Sequence, residues 1–148
     1  MMQNFWQGIL KNKIWWLTVL SWIISQGTKV IFGLVREKRF NFNWVFRPGG
    51  MPSSHTAGTV TLSFCLGKEF GFSSPIFAFS LIFTIMTMFD AQTWRRSIGV
   101  QARLLNRILE DLRERKKIED YRIKELFGHT PVEVFVGAVI GFLVSFFY

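Results

Sequence analysis

A disulfide framework has no place in this chain, which holds one cysteine, Cys65, set in an apolar stretch. The same scarcity removes any cysteine-ligated metal, and a small buried hydrophobe is the expected role of that thiol. Prolines number four and histidines two, and no internal repeat or low-complexity linker interrupts the 148 residues. A single domain over 1–148 is therefore expected. Acidic side chains are also few, ten against eighteen Lys and Arg, for a net charge of +8. Such an excess can mark a nucleic-acid surface, but the apolar content argues for another setting.

Apolar residues make up 49% of the chain and aromatics 17%, and they cluster in Ile14–Val35, Ala57–Gly67, Pro75–Phe89 and Pro131–Tyr148. A bilayer core of ~30 Å takes about 20 helical residues, so the first and last runs are long enough to span and the middle two are marginal. Backbone left unpaired in lipid is not tolerated, so the segments are expected to be helices rather than strands. The expected fold is all-α, a polytopic membrane bundle of about four transmembrane helices plus a cytoplasmic amphipathic helix. The alternative is a soluble helical protein with very apolar core helices. Ile14–Val35 is long, lacks a small-residue cleavage site and contains Lys29, so it is expected to stay in the mature protein rather than be removed as a signal peptide.

With four alternating spans, one side receives the segments Arg36–His55 and Arg95–His129 and carries fourteen of the eighteen Lys and Arg. The other side carries three, Lys11, Lys13 and Lys68, with Lys29 inside the membrane. Positive residues stay inside, so the first side is expected to be cytoplasmic. The charge then faces anionic lipid, and no nucleic-acid partner is expected. Along Arg36–Pro48, Phe40, Phe42, Trp44 and Phe46 alternate with other residues, which suits chain lying at headgroup level. Between Val100 and Leu112 apolar residues recur at threes and fours with Arg103, Arg107, Glu110 and Asp111 between them. That pattern predicts an amphipathic helix. It could lie on the membrane, cover a site or pair with a second copy in a homodimer. The charged run Arg113–Lys124 behind it is expected to be solvated surface.

Both histidines follow glycine-containing turns on the basic side: Gly49-Gly50-Met51-Pro52-Ser53-Ser54-His55 and Gly128-His129-Thr130-Pro131. Serine and threonine cap helices, and Pro131 suits a first helical turn. Helix N-termini offer unsatisfied N–H groups and a partial positive charge, so two of them beside Lys and Arg make a phosphate cradle. Lys29 precedes Arg36 by seven residues, which puts it about 10 Å deep. A charge there costs ~2.5–3.5 kcal/mol on insertion scales and calls for an anionic partner. Thr130-Pro131-Val132-Glu133 reads as a capping box, and Asp90, ending an apolar run, reads as an ion-pair partner of Arg95, Arg96 or Lys29.

Lys29, the run GGMPSSH at Gly49–His55, the run DAQTWRRSIGVQA at Asp90–Ala102 and the run ELFGHTPVEV at Glu125–Val134 together resemble the divergent branch of the type 2 phosphatidic acid phosphatase and vanadium haloperoxidase superfamily. That superfamily carries three motifs, K-x6-RP, PSGH and SR-x5-H-x3-D. The resemblance implies that His129 is the nucleophile taking the phosphoryl group and His55 the acid protonating the leaving oxygen. It further implies that Glu133 orients His129 and that Lys29, Arg39, Ser54, Arg95 and Arg96 bind the phosphate, with Asp90 nearby in a structural role. Three departures stand out. Glu37 replaces the proline, which leaves Arg36, Lys38 and Arg39 as candidate partners of Lys29. Ser54 stands in the glycine position, and thirty-two residues separate Arg96 from His129, an elaboration over about 97–128 that must return the histidine to the site.

The expected activity is a metal- and cofactor-independent lipid phosphate phosphatase working through a phosphohistidine on phosphatidylglycerophosphate or phosphatidic acid. A polyprenyl diphosphate phosphatase and a non-catalytic phosphate- or lipid-binding membrane protein are the alternatives. The expected partners are the bilayer and a membrane lipid, and the expected location is a bacterial plasma membrane with the site on its cytoplasmic side.

Overall fold

A computed structural model describes residues 2–38, 50–115 and 128–148, and among them there is no strand. Six helices follow in order: α1 Met2–Lys11, α2 Lys13–Glu37, α3 Ser54–Phe70, α4 Pro75–Gln92, α5 Trp94–Arg115 and α6 Pro131–Ser145. The sequence pattern did not signal α1. The stretch with alternating aromatics over 39–48 lies outside the described residues, as does 116–127, which takes in most of the charged run.

Polar caps set the helix starts. Asn12 accepts from the Trp15 N–H, Ser53 from Thr56, Ser74 from Phe77 and Thr130 from Glu133. Pro75 and Pro131 open α4 and α6, where a missing N–H costs nothing. The α2 helix ends at Lys38, whose left-handed backbone returns its N–H to the Leu34 carbonyl at 2.9 Å.

Helix α3 is the centre of the bundle, packed against α2, α4 and α6. What lies inside is small and hydroxylic: Ser21, Ser25, Thr56, Ala57, Thr61, Ser63, Cys65, Ser80 and Thr84 are all buried. What lies outside is large and apolar, with Phe79 73%, Phe135 67% and Met86 66% exposed. A water-soluble bundle would bury these side chains. The inversion fits helices in lipid, where association depends on small residues and hydroxyls rather than on hiding hydrocarbon. Thr61 Oγ1 donates to the Gly141 carbonyl at 2.9 Å, Thr84 Oγ1 to the Thr59 carbonyl at 3.0 Å, and Ser63 Oγ lies 2.8 Å from Thr84 Oγ1.

The segment Lys13–Val35 and the run that begins with α4 are long and apolar enough to cross a membrane, while α6 is apolar but shorter. The last segment thus gives 15 helical residues, about 22 Å, rather than the long span its apolar run predicts. The third forms 18 residues, about 27 Å, longer than its run predicts. A count of four spans depends on including α3, whose inward hydroxyls and glycines lower its hydropathy.

Neighbouring helices alternate in direction. At one pole Lys68 Nζ donates to the Ser145 carbonyl at 2.7 Å, satisfying the last residue of α6, and Lys13 Nζ donates to the main-chain oxygen of Tyr148 just beyond the helix at 3.1 Å. The Tyr148 hydroxyl bonds to Glu69 beside them. The other pole gathers the ends of α2 and α4 and the starts of α3 and α6.

Two glycines set the closest approach. A Cβ on Gly137 would drive into the Ser53 carbonyl oxygen, and one on Gly141 into that of Ala57, whereas Gly27 has nothing within 4 Å. Gly137→Ala and Gly141→Ala are each expected to cost about 1–3 kcal/mol in unfolding of the detergent-solubilised protein. Gly27→Ala is expected to be neutral or stabilising by up to about 1 kcal/mol. Equal effects at all three positions, in thermal melts, would refute this packing.

Candidate active site

His129 is the last residue but one before α6 and is buried, with 4% of its surface exposed. Its backbone N–H donates to the Ala91 carbonyl in the last turn of α4 at 3.0 Å. The chain leaves α4 there and, after α5 and the residues beyond it, comes back to within one hydrogen bond of its departure point. This is the return that the wide spacing between Arg96 and His129 demands.

Glu133 does two jobs with one oxygen. Its Oε2 accepts from the Thr130 N–H at 3.0 Å and lies 3.0 Å from His129 Nδ1, while the Glu133 N–H donates to Thr130 Oγ1 at 3.3 Å. Capping box and histidine contact therefore coexist. An ionised carboxylate can only accept, so the proton of a neutral His129 belongs on Nδ1 and the lone pair on Nε2. The ring is aimed as well as paired.

The first turns of α3 and α6 are joined through backbone: the Ser53 N–H donates to the Glu133 carbonyl at 2.9 Å. Ser53 also caps α3, its Oγ accepting from the Thr56 N–H at 3.4 Å and from Thr56 Oγ1 at 3.0 Å. Ser54, in the first turn, is buried, and its N–H is among the donors that a helix cannot satisfy from within. His55 follows on an exposed face of that same turn. The two histidines thus open adjacent, mutually bonded helices.

Lys29 arrives from α2. The inward line Leu17, Ser21, Ser25, Lys29 repeats every four residues, so the lysine lies on the face turned to α3. Its stem packs beside Gly50, where a Cβ would sit 3.7 Å from Cγ and Cδ. Gly50 has φ +88°, a conformation natural to glycine. The Glu133 carboxylate acts electrostatically on the Lys29 ammonium. Glu133 is thus one source of the negative charge that an embedded lysine calls for. Asp90 is half-buried in the last turn of α4, next to the carbonyl that holds His129.

Arg39 lies outside the described residues, and Arg95 and Arg96 open α5 with side chains that also lie outside them. Among the described residues no three or more His, Cys, Asp and Glu converge on one point. The sequence pattern did not single out Gly137 and Gly141, although their spacing of four carries a small-residue packing signal.

Residues 10–144, from the end of α1 into the last turn of α6, match the profile of the Divergent PAP2 family. A protein of Bacillus subtilis (strain 168) named "uncharacterized membrane protein YuiD" is 36% identical over 134 residues, covering 83% of this chain and 85% of that one. No solved structure matches the chain.

The two roles of Glu133 separate by mutation. Thr130→Ala removes only the cap and is expected to cost ~1 kcal/mol of stability. Glu133→Ala also leaves the buried Nδ1–H without its acceptor, adding about 1–3 kcal/mol. Melting curves in which Thr130→Ala is the more damaging would contradict the shared-oxygen geometry.

Proposed function

Because the chain belongs to the Divergent PAP2 family, we propose that it is an integral-membrane phosphatase that removes a phosphate monoester from a lipid through a phosphohistidine. The observation that carries this is the His129–Glu133 contact, since Nδ1 held on a carboxylate leaves Nε2 as the nucleophile. Nε2 attacks phosphorus, and the bond to the lipid oxygen breaks as His55 delivers a proton to it. Water, giving a proton to His55, then attacks phosphorus. The P–N bond breaks, inorganic phosphate leaves and His129 recovers its lone pair.

Lys29, Arg39, Arg95 and Arg96 neutralise the phosphoryl oxygens in this scheme, with the Ser54 N–H beside them. Phosphoryl transfer needs mainly alignment and charge compensation, so four cations remove the requirement for a metal. A site at the pole that receives most of the basic residues favours lipids made on the inner leaflet, such as phosphatidylglycerophosphate or phosphatidic acid. The relative's printed name, a membrane protein, supports the same location for this chain. A polyprenyl diphosphate phosphatase is the second reading, favoured only if the site faces outward.

Phosphate release by the purified protein, measured over a panel of lipid phosphates with EDTA throughout, is the direct test. Activity is expected to persist in chelator and to be inhibited by vanadate. His129→Ala is expected to abolish it, and His55→Ala to lower it by about 10²–10⁴-fold. Quenching with alkaline denaturant after exposure to labelled substrate, which preserves the acid-labile P–N bond, should trap phosphohistidine in the His55 variant and none in the His129 variant. Label recovered from His129→Ala would reverse the assignment of nucleophile.

Sidedness has its own readout. Lys117→Cys in a Cys65→Ala background is expected to resist a membrane-impermeant thiol reagent in intact cells and to react after permeabilisation. Reaction in intact cells would move the polyprenyl substrate to first place.

A further inference from the structure

Helix α5 is turned the wrong way round for an amphipathic helix on a soluble protein. Its inward residues are small or polar: Gly99 and Ala102 are buried, and Arg103 and Asn106 are half-buried. Its apolar residues face away from the bundle, with Ile98, Val100, Leu104, Leu105, Ile108 and Leu112 all exposed. The two sets occupy opposite arcs of the helix, so the outward face is a continuous apolar stripe.

Length decides what can cover that stripe. From Pro75 to Glu110 the helical run is 36 residues, about 54 Å at 1.5 Å per residue, against ~30 Å of hydrocarbon. The 18 residues of α4 fill most of that thickness, and α5 starts two residues later at Trp94. Arg103, Arg107 and Glu110 fall in successive turns, which bars α5 from the hydrocarbon centre. The helix that immediately precedes it, α4, likewise exposes apolar side chains near its end, Ile82, Ile85, Met86 and Phe89. The basic residues beside the stripe complement anionic headgroups.

We propose that α5 lies in the interface of the same bilayer that α4 crosses, with its Ile108 face among the upper acyl chains and its Arg103 face turned to the protein. The occupant of the stripe is lipid, not a second copy of the chain. The helix thereby forms a floor at the membrane surface beside the pole that holds His129, whatever chemistry that pole performs.

The full chain carrying Ile108→Cys or Glu110→Cys in a Cys65→Ala background, labelled with an environment-sensitive dye, tests this. Reconstitution is into vesicles of equal parts phosphatidylcholine and phosphatidylglycerol, with and without brominated acyl chains. The Ile108 label is expected to be quenched at least about twofold more than the Glu110 label. Equal quenching at the two positions would overturn the proposal. So would efficient Ile108–Ile108 cross-linking between copies together with an unquenched Ile108 label, the pattern of a dimer interface. Loss of phosphatase activity bears on neither outcome.

Discussion

The distance between α3 and α6 governs the working pole. Gly137 and Gly141 let the backbone of α6 rest directly on the carbonyls of Ser53 and Ala57. Only at that separation can the Ser53 N–H reach the Glu133 carbonyl at 2.9 Å. Through this contact the serine that caps α3 and the glutamate that caps α6 become parts of one assembly. The histidine after one cap and the histidine before the other inherit a fixed relation. Larger side chains on α6 would push apart the two helix ends as well as weaken the packing.

The same bundle treats its poles differently. One pole spends lysines on structure, with Lys68 bound to the last carbonyl of α6, Lys13 bound to the main-chain oxygen of Tyr148 just beyond it, and the two ammonium groups lying 4.9 Å over the Phe146 ring and 5.1 Å over the Tyr148 ring respectively. Negative helix ends and positive side chains cancel there. At the opposite pole two positive helix ends meet beside Lys29, with Glu133 as the carboxylate that answers both the lysine and His129. On the proposed phosphatase reading, it is toward these two helix starts and the lysine that an anionic phosphate would be drawn.

Much of this was legible in the chain, and the limits have physical causes. Apolar run length locates the helices, and the texts around His55 and His129 locate the two caps, since both signals are local. Helix ends are less legible: α4 runs on to Gln92, and α6 stops at Ser145, where the backbone tightens and the N–H groups of Phe146, Phe147 and Tyr148 bond three residues back. Which side of a helix faces inward was not legible in a lipid setting. Serine and threonine, read as surface residues in water, turn inward at Thr61, Ser63 and Thr84 and bond across helices, because lipid offers their hydroxyls no partner. Gly137 and Gly141 display the right spacing, but their meaning lies in a partner helix some eighty residues away in sequence.

The insertion between Arg96 and His129 illustrates how a divergent spacing can preserve a site. In a bundle, what must be kept is the position of a residue relative to the ends of its neighbours, and for His129 that is fixed by the hydrogen bond from its N–H to the Ala91 carbonyl. That bond ties the start of α6 to the end of α4 irrespective of what the chain does between them. Closing a long loop rather than a short one adds only about 0.6 kcal/mol per doubling of length, less than a few buried contacts return. The intervening chain is then free to acquire another role, and α5, with its apolar side turned outward, has the composition of a helix shaped by the bilayer rather than by the site.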